Sequence, residues 1–206
     1  MGVDISVRIG KLKLKNPVMV ASGTFGYAEE FKSFLSLKDL GAIVTKTITL
    51  MPRLGNLPPR TCETPCGMLN SIGLQNPGLE AFLREKTGFL KKIKVPVIMS
   101  IASEGGPQEF VELARRLDKV DAISALELNI SCPNIAGQKS LISQSAGATY
   151  KVVSSVRKST SKTLITKLSP NVTCISEIAR AAEDAGSDAL ALINTLSGMS
   201  IDIRSR

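Results

Sequence analysis

Short apolar runs rich in β-branched residues recur along the chain at 18–21, 42–46, 95–101, 126–130, 163–168 and 189–193. Runs of this length between turn residues predict buried strands. In the intervening segments the apolar spacing changes to a helical one. Phe110, Leu113, Ala114 and Leu117 fall on one face, as do Ile175, Ile178, Ala179 and Ala182 ahead of a stop at Gly186. Strand and helix in alternation predict an α/β fold with a parallel sheet, either open and doubly wound or closed as a barrel.

The polar residues decide between these. They collect at the C-terminal ends of the runs: Ser22, Lys46, Ser100, Asn129 with Cys132, Lys167, and Asn194 with Thr195. Barrel enzymes build their sites at that edge from many strands, whereas a dinucleotide fold concentrates its signal in a first glycine-rich turn, and no GxGxxG or GxxxxGK[ST] follows the first run. The expectation is a (β/α)8 TIM barrel occupying 1–206 as one domain, preceded by a β-hairpin (3–8 and 11–14). About six of the eight units are visible, so the barrel is expected to be incomplete at the C-terminus. The stretch 47–75, rich in Pro, Gly and Asn, is expected to be a functional insertion on the catalytic face.

Composition narrows the chemistry. The formal charge of +8 is spread over small lysine groups, and aromatic residues make up only 4% of the 206 positions, which predicts a solvated surface and no nucleic-acid partner. No apolar run reaches the roughly 18 residues of a membrane span, and the charged start does not resemble a signal peptide, so a cytoplasmic location without membrane attachment is expected. The 4 cysteines read as free thiols. The absence of histidine removes Ser-His and Cys-His nucleophiles and argues against zinc, so no metal is expected and proton transfer must fall to Cys, Lys, Asp, Glu or Tyr.

Cys132 stands just beyond the run that ends at Asn129, where residue type alone leaves it open between an inert half-buried thiol and a reactive one. The carboxamides around Asn70 suit either a turn or a polar heterocycle, and Asn129 and Asn194 bring further amides to the same mouth. Lys46 and Lys167 each end an apolar run, where a lysine either snorkels or faces an anion or electron-rich ligand.

The stretches ASG (21–23), TKT (45–47), ETP (63–65), GMLNSIGLQNP (67–77), NISCPN (129–134), TKLSPNV (166–172) and INTLSGM (193–199) together resemble the dihydroorotate dehydrogenases, in the family's order over nearly the whole chain. Within that family the match resembles the NAD-linked class, class 1B. The resemblance implies FMN-dependent oxidation of dihydroorotate to orotate in pyrimidine synthesis, with Cys132 as catalytic base. It implies FMN contacts from Ser22, Lys46, Thr47, Asn129, Lys167 and Ile193. Substrate contacts are implied from Lys46, Asn70, Ser71, Ile72, Gly73, Leu74, Asn129, Asn194 and Thr195. A homodimer is implied, together with an electron-transfer subunit carrying FAD and a 2Fe-2S cluster. The Gly and Ser content of 133–146 suits either a mobile lid or an ordinary surface loop.

Two departures qualify what is implied. Ser100 replaces the family's usual FMN-contacting asparagine, and Cys62 and Cys66 have no assigned role. The family's phosphate-binding glycines lie on barrel units seven and eight. Alternatives are therefore a truncated product that binds FMN poorly, and a related flavin barrel acting on another pyrimidine.

Overall fold

Every apolar run becomes a strand, five of them shorter than the run and the one at 126–130 equal in length but beginning one residue earlier, at Ala125. A computed structural model of the chain describes residues 2–131 and 141–204. An antiparallel hairpin comes first, β1 (Val7–Ile9) with β2 (Leu12–Leu14), turning at Gly10, whose φ of 53° suits glycine. β3 (Met19–Val20) and β4 (Ala42–Val44) follow. The 47–75 insertion contains a second antiparallel hairpin, β5 (Thr61–Thr64) with β6 (Gly67–Asn70). Then come α1 (Gly78–Glu85), α2 (Thr87–Leu90), β7 (Val97–Ile101), α3 (Pro107–Asp118), β8 (Ala125–Asn129), α4 (Ala146–Arg157), β9 (Thr163–Lys167), α5 (Ile175–Asp184) and β10 (Ala189–Ala191).

The 6-stranded sheet has the order β10-β9-β8-β7-β4-β3, and all its pairings are parallel. Strand neighbours are sequence neighbours once the inserted hairpin is set aside. That simple progression is how a (β/α) barrel winds, and the sheet forms part of one.

Two apolar layers hold the sheet. On its outer face Val97, Met99, Ile101, Leu126, Leu128 and Leu164 meet the helices, including Leu79 and Phe82 of α1, Phe110 and Leu113 of α3, Val152 and Val156 of α4, and Ile178 of α5. On the inner face Ala42, Val44, Ile98, Ala125 and Ile165 pack on Leu14, with Val7, Ile9 and Leu12 beside it. The N-terminal hairpin thus plugs the end where the strands begin, and the Lys11 N–H fixes it there by donating to Thr163 Oγ1 at 3.2 Å. Among the described residues, the interior opens into a polar-lined cleft at the opposite end.

The helix stop at Gly186 takes the form its position requires. Ser187 N–H donates to Ala182 O at 3.0 Å and Gly186 N–H to Glu183 O at 2.9 Å, while Gly186 adopts φ 96°. These are the two bonds of a Schellman cap. The first crossover differs from the others, because single 3-10 turns at Glu29–Phe31 and Leu37–Asp39 replace a helix. Phe25, Ala28, Ile43 and Val95 form a separate small core under them.

Phe110 is 1% exposed between α3 and the sheet, whereas Phe34 is 81% exposed. Phe110→Ala should lower unfolding free energy by about 3–5 kcal/mol. Phe34→Ala should change it by no more than about 0.5 kcal/mol. Urea denaturation of the two variants beside the parent reads both, and equal losses would contradict this placement of the core.

Candidate functional site

Parallel strands deliver their C-terminal ends to one edge, and there the structure opens a cleft of two adjoining chambers. One, of about 620 Å³, is lined by Asn70, Ser71, Ile72, Gly73, Leu74, Asn129, Asn194 and Thr195, with Arg53, Asn56, Leu141 and Asn171 among its other walls. The second, of about 450 Å³, is lined by Ser22, Lys46, Thr47 and Lys167 and shares Asn70, Ile72, Gly73, Leu74, Asn129, Asn194 and Thr195 with the first. Residues from six separate segments, distant in sequence, therefore meet as anticipated. Ile193 lines neither chamber; it is 43% exposed, next to Asn194. Cys132 lies outside the described residues, as do 133–140 of the anticipated lid. The rest of that segment is a 3-10 turn, Ile142–Gln144, leading into α4, where the Ser145 hydroxyl accepts from Ala148 N–H at 3.3 Å.

The amides are held before any ligand arrives. Asn194 Nδ2 donates to Asn129 Oδ1 at 3.0 Å, joining the end of β8 to the segment after β10. Asn194 N–H donates to Leu168 O at 2.9 Å, and its own Oδ1 receives Thr195 N–H at 2.8 Å. Each carboxamide is thereby fixed in orientation while retaining unused donors or acceptors.

The turn at 71–74 is more unusual. All four of its carbonyls are bonded back into the protein. Ser71 O accepts from Asn56 Nδ2 at 2.8 Å, Ile72 O from Asn56 N–H at 3.1 Å, Gly73 O from Arg53 Nε at 3.2 Å and Leu74 O from Asn76 Nδ2 at 2.8 Å. Asn76 is itself buried, its Oδ1 receiving Thr49 N–H at 3.1 Å and Gly78 N–H at 2.9 Å. Gly73 and Leu74 both have positive φ, 73° and 56°. Among the described residues no acceptor takes the N–H groups of Ile72, Gly73 and Leu74. Consecutive free N–H groups in such a turn make an anion-binding concavity.

Charge at the mouth is positive. Lys46 is partly buried, and burial holds its ammonium pKa below the usual lysine value, with Arg60 lowering it further and Glu30 opposing. Lys167 ends the neighbouring β9 at the level of Asn129, its Cα partner across the sheet. Beneath them the hydroxyls of Ser22, Thr47 and Ser100 form a chain, 3.0 Å from Ser22 to Thr47 and 2.9 Å from Thr47 to Ser100. Ser100, anticipated only as a lost asparagine, is thus a fully buried link in that chain. Sequence reasoning also passed over Glu127. Its signal was a carboxylate inside an apolar run, and it sits 4% exposed on the inner face of β8.

The family model described as dihydroorotate dehydrogenase matches residues 4–206. The dihydroorotate dehydrogenase B (NAD(+)) catalytic subunit of Geotalea uraniireducens is 52% identical over 203 residues, covering 98% of this chain and 66% of the relative. Its counterpart in Carboxydothermus hydrogenoformans is 53% identical over 204 residues, covering 99% and 66%. That of Pelobacter propionicus is 50% identical over 206 residues, covering 100% and 67%. The chain spans about two thirds of the length of these relatives.

Because the lowered pKa of Lys46 is a property of the fold, it appears in stability. The unfolded chain holds that proton more tightly. Stability from this group therefore rises with pH between the folded and unfolded values, and the full penalty applies below the folded one. Lys46→Met should melt higher than the parent near neutral pH, by less than about 4 °C given the remaining solvent exposure. The gain should shrink toward about pH 10. A difference that is constant across pH in thermal melts would show that the ammonium is not the cause.

Proposed function

The chain belongs to the dihydroorotate dehydrogenase family, and on that premise we propose that the cleft binds FMN and dihydroorotate side by side and oxidises the latter to orotate, with Cys132 as the base. The observation that carries the reading is the 71–74 turn, whose carbonyls are occupied and whose N–H groups at Ile72, Gly73 and Leu74 remain for a carboxylate.

The donor set of the second chamber fits a flavin ring. Ser22, Thr47 and Asn129 offer groups that donate or accept, as alternating ring C=O and N–H positions require, and Lys46 and Lys167 supply positive charge. FMN, when bound there, supplies a hydride acceptor. Ile193 belongs to the same proposed contact set, reached from the segment after β10.

The protein's own part is orientation and proton transfer. The free N–H groups of the turn, with Lys46, hold the substrate carboxylate. Asn70, Ser71, Asn129, Asn194 and Thr195 fix the ring of the substrate from opposite sides of the chamber. Cys132, three positions beyond Asn129, removes the C5 proton as hydride leaves C6. Lys167 would lie beside the cofactor ring and would supply positive charge to its electron-rich edge. A thiol with an ordinary pKa of about 8.5 is mostly protonated at neutral pH, so the rate of this step rises with pH.

The relatives' names describe catalytic subunits of an NAD(+)-linked enzyme. The same arrangement is proposed for this chain: a homodimer working with an electron-transfer subunit that carries FAD and a 2Fe-2S cluster, in the cytoplasm, as part of pyrimidine synthesis. Among the described residues no helix is long and apolar enough to cross a membrane.

Anaerobic addition of dihydroorotate to the FMN-loaded protein should bleach the flavin absorbance. Failure to bleach bound flavin would sink the substrate assignment. Cys132→Ser should still bind orotate and slow bleaching by about 10²–10⁴-fold at neutral pH. An unchanged rate would remove Cys132 from the mechanism.

A further inference from the structure

Glu127 has a place in the fold that the reaction above does not use. On β8 it lies on the inner face, two residues before Asn129, and its Cα partners are Ser100 on β7 and Ile165 on β9. In parallel pairing, registered residues point to the same face, so the Ser100 hydroxyl and the Glu127 carboxyl share the barrel interior about one strand spacing (~4.8 Å) apart. Glu127 Oε1 is buried with no hydrogen-bond partner among the described residues. No ion pair engages the carboxyl there either. The groups facing it are Ser100 from β7 and Lys167 from β9, with Asn129 above it on its own strand and Lys46 at the mouth from the end of β4.

We propose that Glu127 is a positioning residue whose carboxyl proton sets the direction of the hydroxyl chain Ser100, Thr47, Ser22, and so decides whether Ser22 donates or accepts toward a ligand in the cleft. Each link of that chain can run either way, since either oxygen can be the donor at 2.9 Å and at 3.0 Å. With the acid neutral, Glu127 donates to Ser100, Ser100 to Thr47 and Thr47 to Ser22, leaving the Ser22 O–H to donate into the chamber. With the acid ionised every link reverses, and Ser22 offers only lone pairs. The neutral form also leaves the charge of Lys167 uncompensated and available to the ligand. Burial favours that form by raising the carboxyl pKa, against the pull of Lys167 and of the Ser100 hydroxyl.

The inference rests on reading the chamber as a flavin site, and its test separates the two. Infrared spectra of the ligand-free protein should contain a neutral-carboxyl C=O band at pH 7 that Glu127→Gln removes and whose frequency Ser100→Ala shifts. Titration with FMN, followed by flavin fluorescence, should show affinity weakening about tenfold as rising pH abolishes that band. The part of the pH dependence that follows the band should vanish in both variants, leaving that of Lys46, with thermal melts confirming that each is folded. Absence of the band in the folded parent, a band unmoved by Ser100→Ala, or an affinity step at the pH of the band that survives in both variants would each overturn the role. A parent that binds no FMN at any pH fails the flavin reading instead, and the band with its response to Ser100→Ala then decides the link between Glu127 and Ser100 alone.

Discussion

Parallel strand pairing is the constraint on which everything else depends. A strand cannot pair in parallel with its predecessor unless the chain first crosses back, so each C-terminal strand end arrives at the same edge of the sheet. Lys46, Asn129, Lys167 and Asn194, spread over most of the chain, become neighbours for that reason. The hairpin of β1 and β2 makes the arrangement one-sided. By filling the other end of the interior with Leu14 and its apolar neighbours, it leaves the polar-lined cleft among the described residues at the mouth.

The interior is therefore graded along its axis. Ile98 and Ala125 lie in register at its floor, Ser100 and Glu127 one step higher, and Asn129 and Lys167 at its rim. Polar residues at the middle level are costly unless they bond to one another, which the hydroxyl chain does for Ser100 and Thr47. One oxygen of Glu127 is left out of that compensation. Tyr27, Ser131 and Ser143 also carry a buried oxygen without a partner, but Glu127 is the carboxyl among them, and it stands in register with the hydroxyl chain at Ser100.

The sheet was legible because its strands announce themselves twice, by apolar runs and by polar residues at their ends. Helical faces such as Phe110, Leu113, Ala114 and Leu117 and the stop at Gly186 were legible for similar local reasons. The hairpin of β5 and β6 was not, since its residues are largely exposed and carry little hydrophobic signal. The 3-10 turns of the first crossover escaped because Phe25 and Phe31 stack through a non-helical spacing. At the site, the residue types were readable but the logic of the 71–74 turn was not. Its carbonyls are tied down by Arg53, Asn56 and Asn76, and only that tertiary scaffold converts a glycine-containing stretch into a set of free N–H groups.

Lys46 shows why such a site is built from groups that weaken the fold. Its ammonium is disfavoured by burial and by Arg60, and the unpaired N–H groups of the turn are likewise unsatisfied by the protein. Both deficits have the same sign: each is relieved by an anion. On the function proposed above, a substrate carboxylate accepts those N–H bonds and compensates the lysine together, and such binding would recover free energy that folding left unrealised, stabilising the bound state by linkage. Preorganisation by Asn56, Asn76 and Asn194 means that little further ordering is needed when this happens. The positive, donor-rich mouth is a cost to the folded chain by itself, since burial disfavours the Lys46 ammonium and the turn's N–H groups have no acceptor among the described residues.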